Sequence, residues 1–299
     1  MQSGRAHAVA CASRHLVHVE KSLERVVAAA CVGAETGIAN ALWYAVGVNG
    51  KRLRPQLVIA TAESLGFKGE NVIDAACALE LVHCASLVLD DLPAMDDASI
   101  RRGRTAVHLE FGEATAILVT HALLAEAFRL VACNCSETGL SASKTAMTVA
   151  LLAKQIGLTG MIGGQAMDLS LATVDAPETV LEMVCRCKTA SLFCACVLAA
   201  GHLCQASDDA LEGLELFAER LGMAFQIRDD ILDISASQEK AGKNVDQDRR
   251  GTTLARRLGV DEALLRARAF EKEALTVLGD LDIDPVPLEA LMSRIAGEY

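Results

Sequence analysis

Residues 71–97 read Asn71-Val-Ile-Asp-Ala-Ala-Cys-Ala-Leu-Glu-Leu-Val-His83-Cys-Ala85-Ser86-Leu-Val-Leu-Asp90-Asp91-Leu-Pro-Ala-Met-Asp96-Asp97. No glycine or proline interrupts the first part, which is rich in Ala and Leu, so the stretch predicts a helix from Asn71 to about Leu92. On it His83 and Asp90 are seven residues apart and Ser86 lies four before Asp90, which puts all three on one face. Leu87, Val88 and Leu89 crowd the acids. An unpaired carboxylate among such neighbours is costly, so a cation has to meet Asp90, Asp91 and Asp96.

The same problem recurs about 140 residues later, at Asp229-Asp230-Ile-Leu-Asp233. There Gln226, Asp229, Asp230 and Asp233 fall at i, i+3, i+4 and i+7, so one helix face presents three acids and an amide. A single acidic pair reads as a solvated helix end. Two clusters, both among apolar helix residues, read as faces of one cavity that holds several divalent ions, whose charge removes the repulsion among the acids. Donor sets made only of oxygen favour Mg²⁺, which keeps waters and takes phosphate oxygens as further ligands.

The rest of the chain bounds this reading. Across 299 residues no Pro/Gly/Ser-rich linker or composition break appears, so residues 1–299 read as a single domain. The apolar fraction is 52% with only 3% aromatic, which suits close-packed helices. A net charge of −11 argues against nucleic-acid binding, which needs a basic face. Eleven cysteines, without a legible signal peptide or zinc-ligand spacing, read as small core fillers in a reducing, cytoplasmic setting. The longest uninterrupted apolar run, around Leu192 to Ala200, is too short to suggest a membrane span.

Five prolines leave two stretches of over 80 residues without any. Breaks are legible at residues 66–69, 102–112, 134–140, 157–164, 171–177, 201–208 and 235–251, with roughly ten helices between them. Alternation of period two is missing. The fold class predicted is all-α.

Three cationic segments stand out in this acidic chain: Gly50-Lys51-Arg52-Leu53-Arg54-Pro55, Ile100-Arg101-Arg102-Gly103-Arg104, and residues 240–250. The last two follow the acidic clusters closely. Lys and Arg beside ion-binding acids suit the clamping of phosphates, and Lys51 and Arg54 are spaced to grip one diphosphate from one side.

At this point the chain resembles a family. GKRLRP (50–55), HCASLVLDDLPAMDDASIRRG (83–103), GGQAMDL (163–169), KTASL (188–192) and FQIRDDILD (225–233) are together similar to the trans-isoprenyl diphosphate synthases, or polyprenyl synthetases. The likeness runs from about Gly50 to Gly259. It implies an isoprenoid-synthase-type helical bundle around a deep central cavity, and a homodimer. Asp90, Asp91 and Asp96 with Asp229, Asp230 and Asp233 would bind three Mg²⁺ and the allylic diphosphate. Lys51, Arg54, His83 and Arg102 would bind isopentenyl diphosphate, while Arg101, Lys188, Thr189, Gln226 and Lys243 would contact the allylic substrate. Catalysis would rest on Asp90, Asp91, Asp229, Asp230, Lys188 and Arg101: neutralising the leaving diphosphate frees an allylic cation, which the isopentenyl double bond attacks.

In this family, synthases that stop at fifteen carbons commonly carry an aromatic residue four or five positions before the first aspartate. Here Ser86 and Ala85 stand there. A helical turn rises about 5.4 Å, close to one isoprene unit, so small residues deepen the pocket by about one addition. The expected product is geranylgeranyl diphosphate, with farnesyl diphosphate the alternative; Leu81, Val82, Leu118 and Leu123 are candidates for the floor.

One departure concerns the family's G-K-x-T step, which reads Arg249-Arg250-Gly251-Thr252-Thr253, so a lysine is replaced by Gly251. Residues 1–20 match nothing and read as a mobile segment. A terpene cyclase would not need the second diphosphate site at Lys51, Arg54 and His83, and a non-catalytic subunit of a heteromeric synthase would be expected to lose its aspartates.

Overall fold

The computed structural model describes residues 2–48, 50–171, 175–239 and 253–297. Lys243, Arg249, Arg250, Gly251 and Thr252 lie outside them. The described residues are all-α apart from one small hairpin. In order the helices are α1 (Gln2–Ala30), α2 (Thr36–Val46), α3 (Leu53–Ser64), α4 (Ile73–Asp90), α5 (Val107–Phe111), α6 (Glu113–Glu137), α7 (Ala142–Ile156), α8 (Met161–Leu171), α9 (Glu178–Cys185), α10 (Ser191–Leu203), α11 (Asp208–Glu239), α12 (Leu254–Leu258), α13 (Val260–Gly279) and α14 (Val286–Gly297). A 3₁₀ turn, Gly69–Val72, precedes α4, and a π turn, Arg186–Ala190, joins α9 to α10. The hairpin pairs β1 (Ile100–Arg101) with β2 (Arg104–Thr105). Two compact units emerge, residues 1–63 with 67–149 and residues 64–66 with 150–299, where the sequence reads as one domain without a linker.

In the first unit α4 is a core helix, with twelve of its eighteen residues buried. It runs antiparallel to α6. Asn134 near the end of α6 accepts from Ala75 N (3.0 Å) and donates to Asn71 O (2.9 Å), while Ala116 near its start packs with Val88 and Leu92. Asn71 is therefore not the cap that starts the helix. It sits in the 3₁₀ turn, and the first turn of α4 is satisfied across the fold by Asn134.

The sequence reading leaves residues 1–20 as a mobile segment, whereas here residues 2–20 form most of α1. Val19, Leu23, Val26 and Val27 make a buried stripe at helical spacing, and His15 pairs with Glu63 at 3.2 Å.

The second unit is built on α10, buried at every residue except His202, and on α11, which packs along α13. Its core joins Leu181, Ala190, Met223, Ile227 and Phe270. None of the ten described cysteines forms a disulfide, and seven are buried. Burial pushes the Cys84 thiol up to about 12, so it behaves as a hydrophobe rather than a nucleophile.

Scoring uninterrupted apolar runs understates the hydropathy of these helices. Gly69–Asp90, Glu113–Glu137, Ala142–Leu171 and Glu178–Leu203 are each long and apolar enough to cross a membrane. Within the fold the first and last of these windows are 67% and 78% buried, the middle two 39% and 28%.

Candidate active site

In the first unit, Arg102 and Gly103 both take positive φ (50° and 76°), which closes the hairpin in the manner of a type I′ turn. Two adjacent arginines are thereby sent to different partners. Arg101 donates through Nε (2.8 Å) and Nη2 (2.5 Å) to Asp91 Oδ1. Arg102 Nη2 lies 3.3 Å from His83 Nε2. Tyr44 fixes the hairpin from below, with its hydroxyl donating to Thr105 O (2.9 Å), Arg104 lying 3.9 Å over its ring and Phe111 meeting it edge-on.

A guanidinium can only donate, so His83 Nε2 accepts and the imidazole is neutral. Burial, then the charges of Arg54 and Arg102, hold His83 well below its usual range. The guanidinium of Arg102 also rests on Gly50, where a Cβ would fall 2.7 Å from Nη1. Gly50, Arg54, His83 and Arg102 thus form one basic cluster, with Lys51 exposed at its edge.

Between them Arg52 faces the opposite way. It takes φ 46° and is buried, donating to Glu80 Oε1 (2.8 Å), to both carboxylate oxygens of Glu20 (2.7 and 3.1 Å) and to Val46 O (3.0 Å). It is the anchor that turns Lys51 and Arg54 outward.

After α4 the chain folds back at the acids, with Asp96 N donating to Asp90 O (2.9 Å) and Ala98 N to Asp91 O (3.2 Å). Asp91 is buried, Asp90 and Asp96 are half-buried. Burial pushes the Asp91 carboxyl up even though Arg101, and more weakly His108, pull it down. Below the acids, Ser86 is half-buried and donates to His83 O (2.9 Å), whereas Ala85 is fully buried, as are Leu81, Val82 and Leu123; Leu118 is 57% exposed and does not join them.

In the second unit the π turn carries Lys188 and Thr189. Such a turn holds one residue more than an α-helical turn and so redirects its side chains. Two glycines let it sit tightly: a Cβ on Gly164 of α8 would meet Lys188 N at 2.1 Å, and one on Gly222 of α11 would meet Ala190 Cα at 2.6 Å. Lys188 Nζ reaches Asp168 Oδ2 at 2.6 Å. Thr189 Oγ1 donates to Gln226 Oε1, and Gln226 Nε2 donates to Asp230 Oδ1 at 2.7 Å. This chain of bonds ties the π turn to the acidic face of α11, where Asp229 and Asp233 are exposed and Asp230 is buried. Arg228, inside the same motif, turns away to Glu271 (2.6 and 3.0 Å).

Among the described residues no three His, Cys, Asp or Glu side chains converge tightly enough to hold an ion by themselves. The donors fit Mg²⁺ nonetheless. All are carboxylates, the burial of Asp91 is not offset by Arg101 alone, and Mg²⁺ characteristically takes one or two protein oxygens with water and phosphate completing its shell.

The first unit brings Asp91 to Arg101 and His83 to Arg102, and the second links Thr189, Gln226 and Asp230 in one chain of hydrogen bonds; Lys243 lies outside the described residues. Sequence reasoning missed Tyr44, Gln165, Asp168 and His108. His108 is buried with Nδ1 unpartnered among the described residues. For Gln165 and Asp168 the signal was present, since GGQAMDL was singled out without a role for its polar residues.

A family model described as Polyprenyl synthetase matches residues 35–255. The chain is 38% identical over 255 residues to the farnesyl diphosphate synthase of Bacillus subtilis, covering 85% of this chain and 86% of that one. It is 36% identical over 266 residues to the geranylgeranyl diphosphate synthase of Cyanophora paradoxa, covering 88% of each. A crystal structure of a geranyltransferase from Legionella pneumophila superposes with a TM-score of 0.84, 29% identity and 99% of each chain covered. The family match and these relatives define a trans-prenyltransferase. The chain belongs to the polyprenyl synthetase family.

Proposed function

We propose that this protein condenses isopentenyl diphosphate with an allylic diphosphate and stops at geranylgeranyl diphosphate. The observation that carries the reading is the hairpin that sends Arg101 to Asp91 and Arg102 to His83, since it couples an acidic, ion-accepting group to a basic, metal-free one within a single turn. Two kinds of diphosphate site side by side are what a condensation needs and an ionisation alone does not.

Asp90, Asp91 and Asp96 in the first unit, and Asp229, Asp230 and Asp233 in the second, are the carboxylates that would hold Mg²⁺, three ions by resemblance. When bound, Mg²⁺ supplies positive charge that stabilises the departing diphosphate. Arg101 in the first unit, and Lys188 with Thr189 and Gln226 in the second, are the donors that by resemblance would contact the allylic substrate. Lys51, Arg54 and Arg102 hold isopentenyl diphosphate, with neutral His83 keeping Arg102 in place. The allylic C–O bond breaks, the isopentenyl double bond attacks the cation, and the released diphosphate takes the proton lost. No side chain acts as nucleophile.

The relatives carry both fifteen- and twenty-carbon names, so product length is inferred from this chain's own residues. Ser86, one turn below Asp90, is small and half-buried, which leaves depth for a fourth isoprene unit. Similarity to a farnesyl diphosphate synthase favours fifteen carbons as the second reading. Incubating purified protein with Mg²⁺, isopentenyl diphosphate and each allylic starter, then measuring the dephosphorylated products, tests both; a dominant fifteen-carbon alcohol would refute the longer product.

We propose that a second copy of the chain covers the face of α6 on which Ile117 and Leu118 are 41% and 57% exposed. Covering that face accounts for a membrane-like window that is little buried in the single chain. Ten described cysteines without a disulfide suit a cytoplasmic protein. Sedimentation velocity would report the dimer.

A further inference from the structure

We infer that Tyr44 is a positioning residue: through α2 it holds the hairpin of Arg101 and Arg102 in register with the segment carrying Lys51 and Arg54, and so completes the isopentenyl diphosphate site. The inference deepens the function proposed above and rests on it. Its basis is that one end of α2 grips both basic segments. Val46 O, at the last residue of the helix, accepts from Arg52 Nη2 (3.0 Å), the buried arginine between Lys51 and Arg54. Two residues earlier, Tyr44 Oη donates to Thr105 O (2.9 Å), and its ring lies 3.9 Å under the Arg104 guanidinium. The two segments also touch directly, at Gly50 and Arg102, with no room for a Cβ between them.

The hairpin needs a hold from outside. It pairs only Ile100 with Thr105 and Arg101 with Arg104, and an isolated two-stranded ribbon is marginal at best in water. Arg102 closes it at φ 50°, which costs energy for a residue that carries a Cβ. Its contacts with Asp91 and His83 run through the side chains of Arg101 and Arg102. These are the groups that would turn to a diphosphate, and a guanidinium that changes partner gives up its former grip. Tyr44 instead grips the return strand, at the Thr105 carbonyl and the Arg104 side chain, so its hold lasts while the two arginines move.

Tyr44 is itself well placed to act as a reference point. Phe111 meets it edge-on at 5.2 Å between ring centroids, and both rings pack against the cluster of Val88, Leu92, Val107 and Ala116. Val88 and Leu92 flank Asp90 and Asp91 in the chain, so the tyrosine is fixed to the same stretch of backbone that presents the first acids.

Two measurements on the full chain test this, and neither needs turnover. In hydrogen–deuterium exchange, Y44F should speed the peptides spanning residues 99–106 about threefold through loss of one exposed hydrogen bond, and Y44L about tenfold through loss of the ring contacts as well. Exchange in α4 and α6 should stay as in the wild type. In calorimetric titration with isopentenyl diphosphate, Kd should rise about fivefold in Y44L and less in Y44F, with the number of sites unchanged. A merely structural role would lower the number of sites and leave Kd alone. Hairpin exchange in Y44L equal to the wild type would overturn the inference, and so would an unchanged Kd. A wild type that binds isopentenyl diphosphate but makes no prenyl product would instead overturn the proposed function and leave the role of Tyr44 standing.

Discussion

Arg102 lends its guanidinium to His83 Nε2 at 3.3 Å, and in doing so fixes a neutral imidazole among positive charges. The sign of its pH effect follows. His83 binds a proton less readily folded than unfolded, so its stabilising contribution is complete above the ordinary histidine value of 6.5 and is lost as pH falls below it. Chemical denaturation at a series of pH values should show stability declining from pH 6.5 downward, and H83Q should flatten that decline. An unchanged slope in H83Q would assign the effect to other groups.

Arg52 predicts a structural phenotype within a functional motif. Its pairing with Glu80 is buried on both sides, so R52A strands a carboxylate in the core at a cost of about 3–5 kcal/mol. Its neighbour Lys51 is exposed, and K51A should leave the melting temperature alone while raising KM for isopentenyl diphosphate. Equal stability of the two variants would contradict this division of roles.

Asp229 is exposed and Asp90 half-buried, so neither supports packing. D229A or D90A should cut kcat by about a hundredfold or more with little change in the circular dichroism melt. Near-normal rates would remove these groups from the ion-binding set.

For product length, Ser86 is the better probe than Ala85. S86F places a ring on the face of Asp90 and should shorten the product by one isoprene unit. Ala85 is 1% exposed, so A85F overpacks the core and should cost about 1–3 kcal/mol in addition to any shortening. A twenty-carbon product from S86F would put the floor elsewhere.

Much of this was legible because helices and acids announce themselves. The breaks at residues 134–140, 157–164, 171–177 and 201–208 coincide with helix ends, since Gly, Pro and polar clusters act locally. The face shared by Gln226 and Asp230 was readable from spacing alone and is realised as a hydrogen bond. Longer-range facts were not. Asn134 caps α4 from another helix, and Arg52 is drawn inward by Glu20 and Glu80, partners scattered along the chain. The I′ turn at Arg102-Gly103 was hidden because arginine is not a residue that favours positive φ. Nor does sequence periodicity announce a π turn, which is defined by one residue too many.

That surplus residue has a consequence for how such a site can be gained or lost. Arg186–Ala190 loops out one extra position while α9 and α10 each keep the facing their cores demand. Deleting a single residue there would let an ordinary α-helix run straight through, leaving both flanking cores in register but swinging Lys188 and Thr189 away from Asp168 and Gln226. Architecture and chemistry are separable at this one position, so a one-codon deletion could silence the enzyme yet leave a well-folded helical protein.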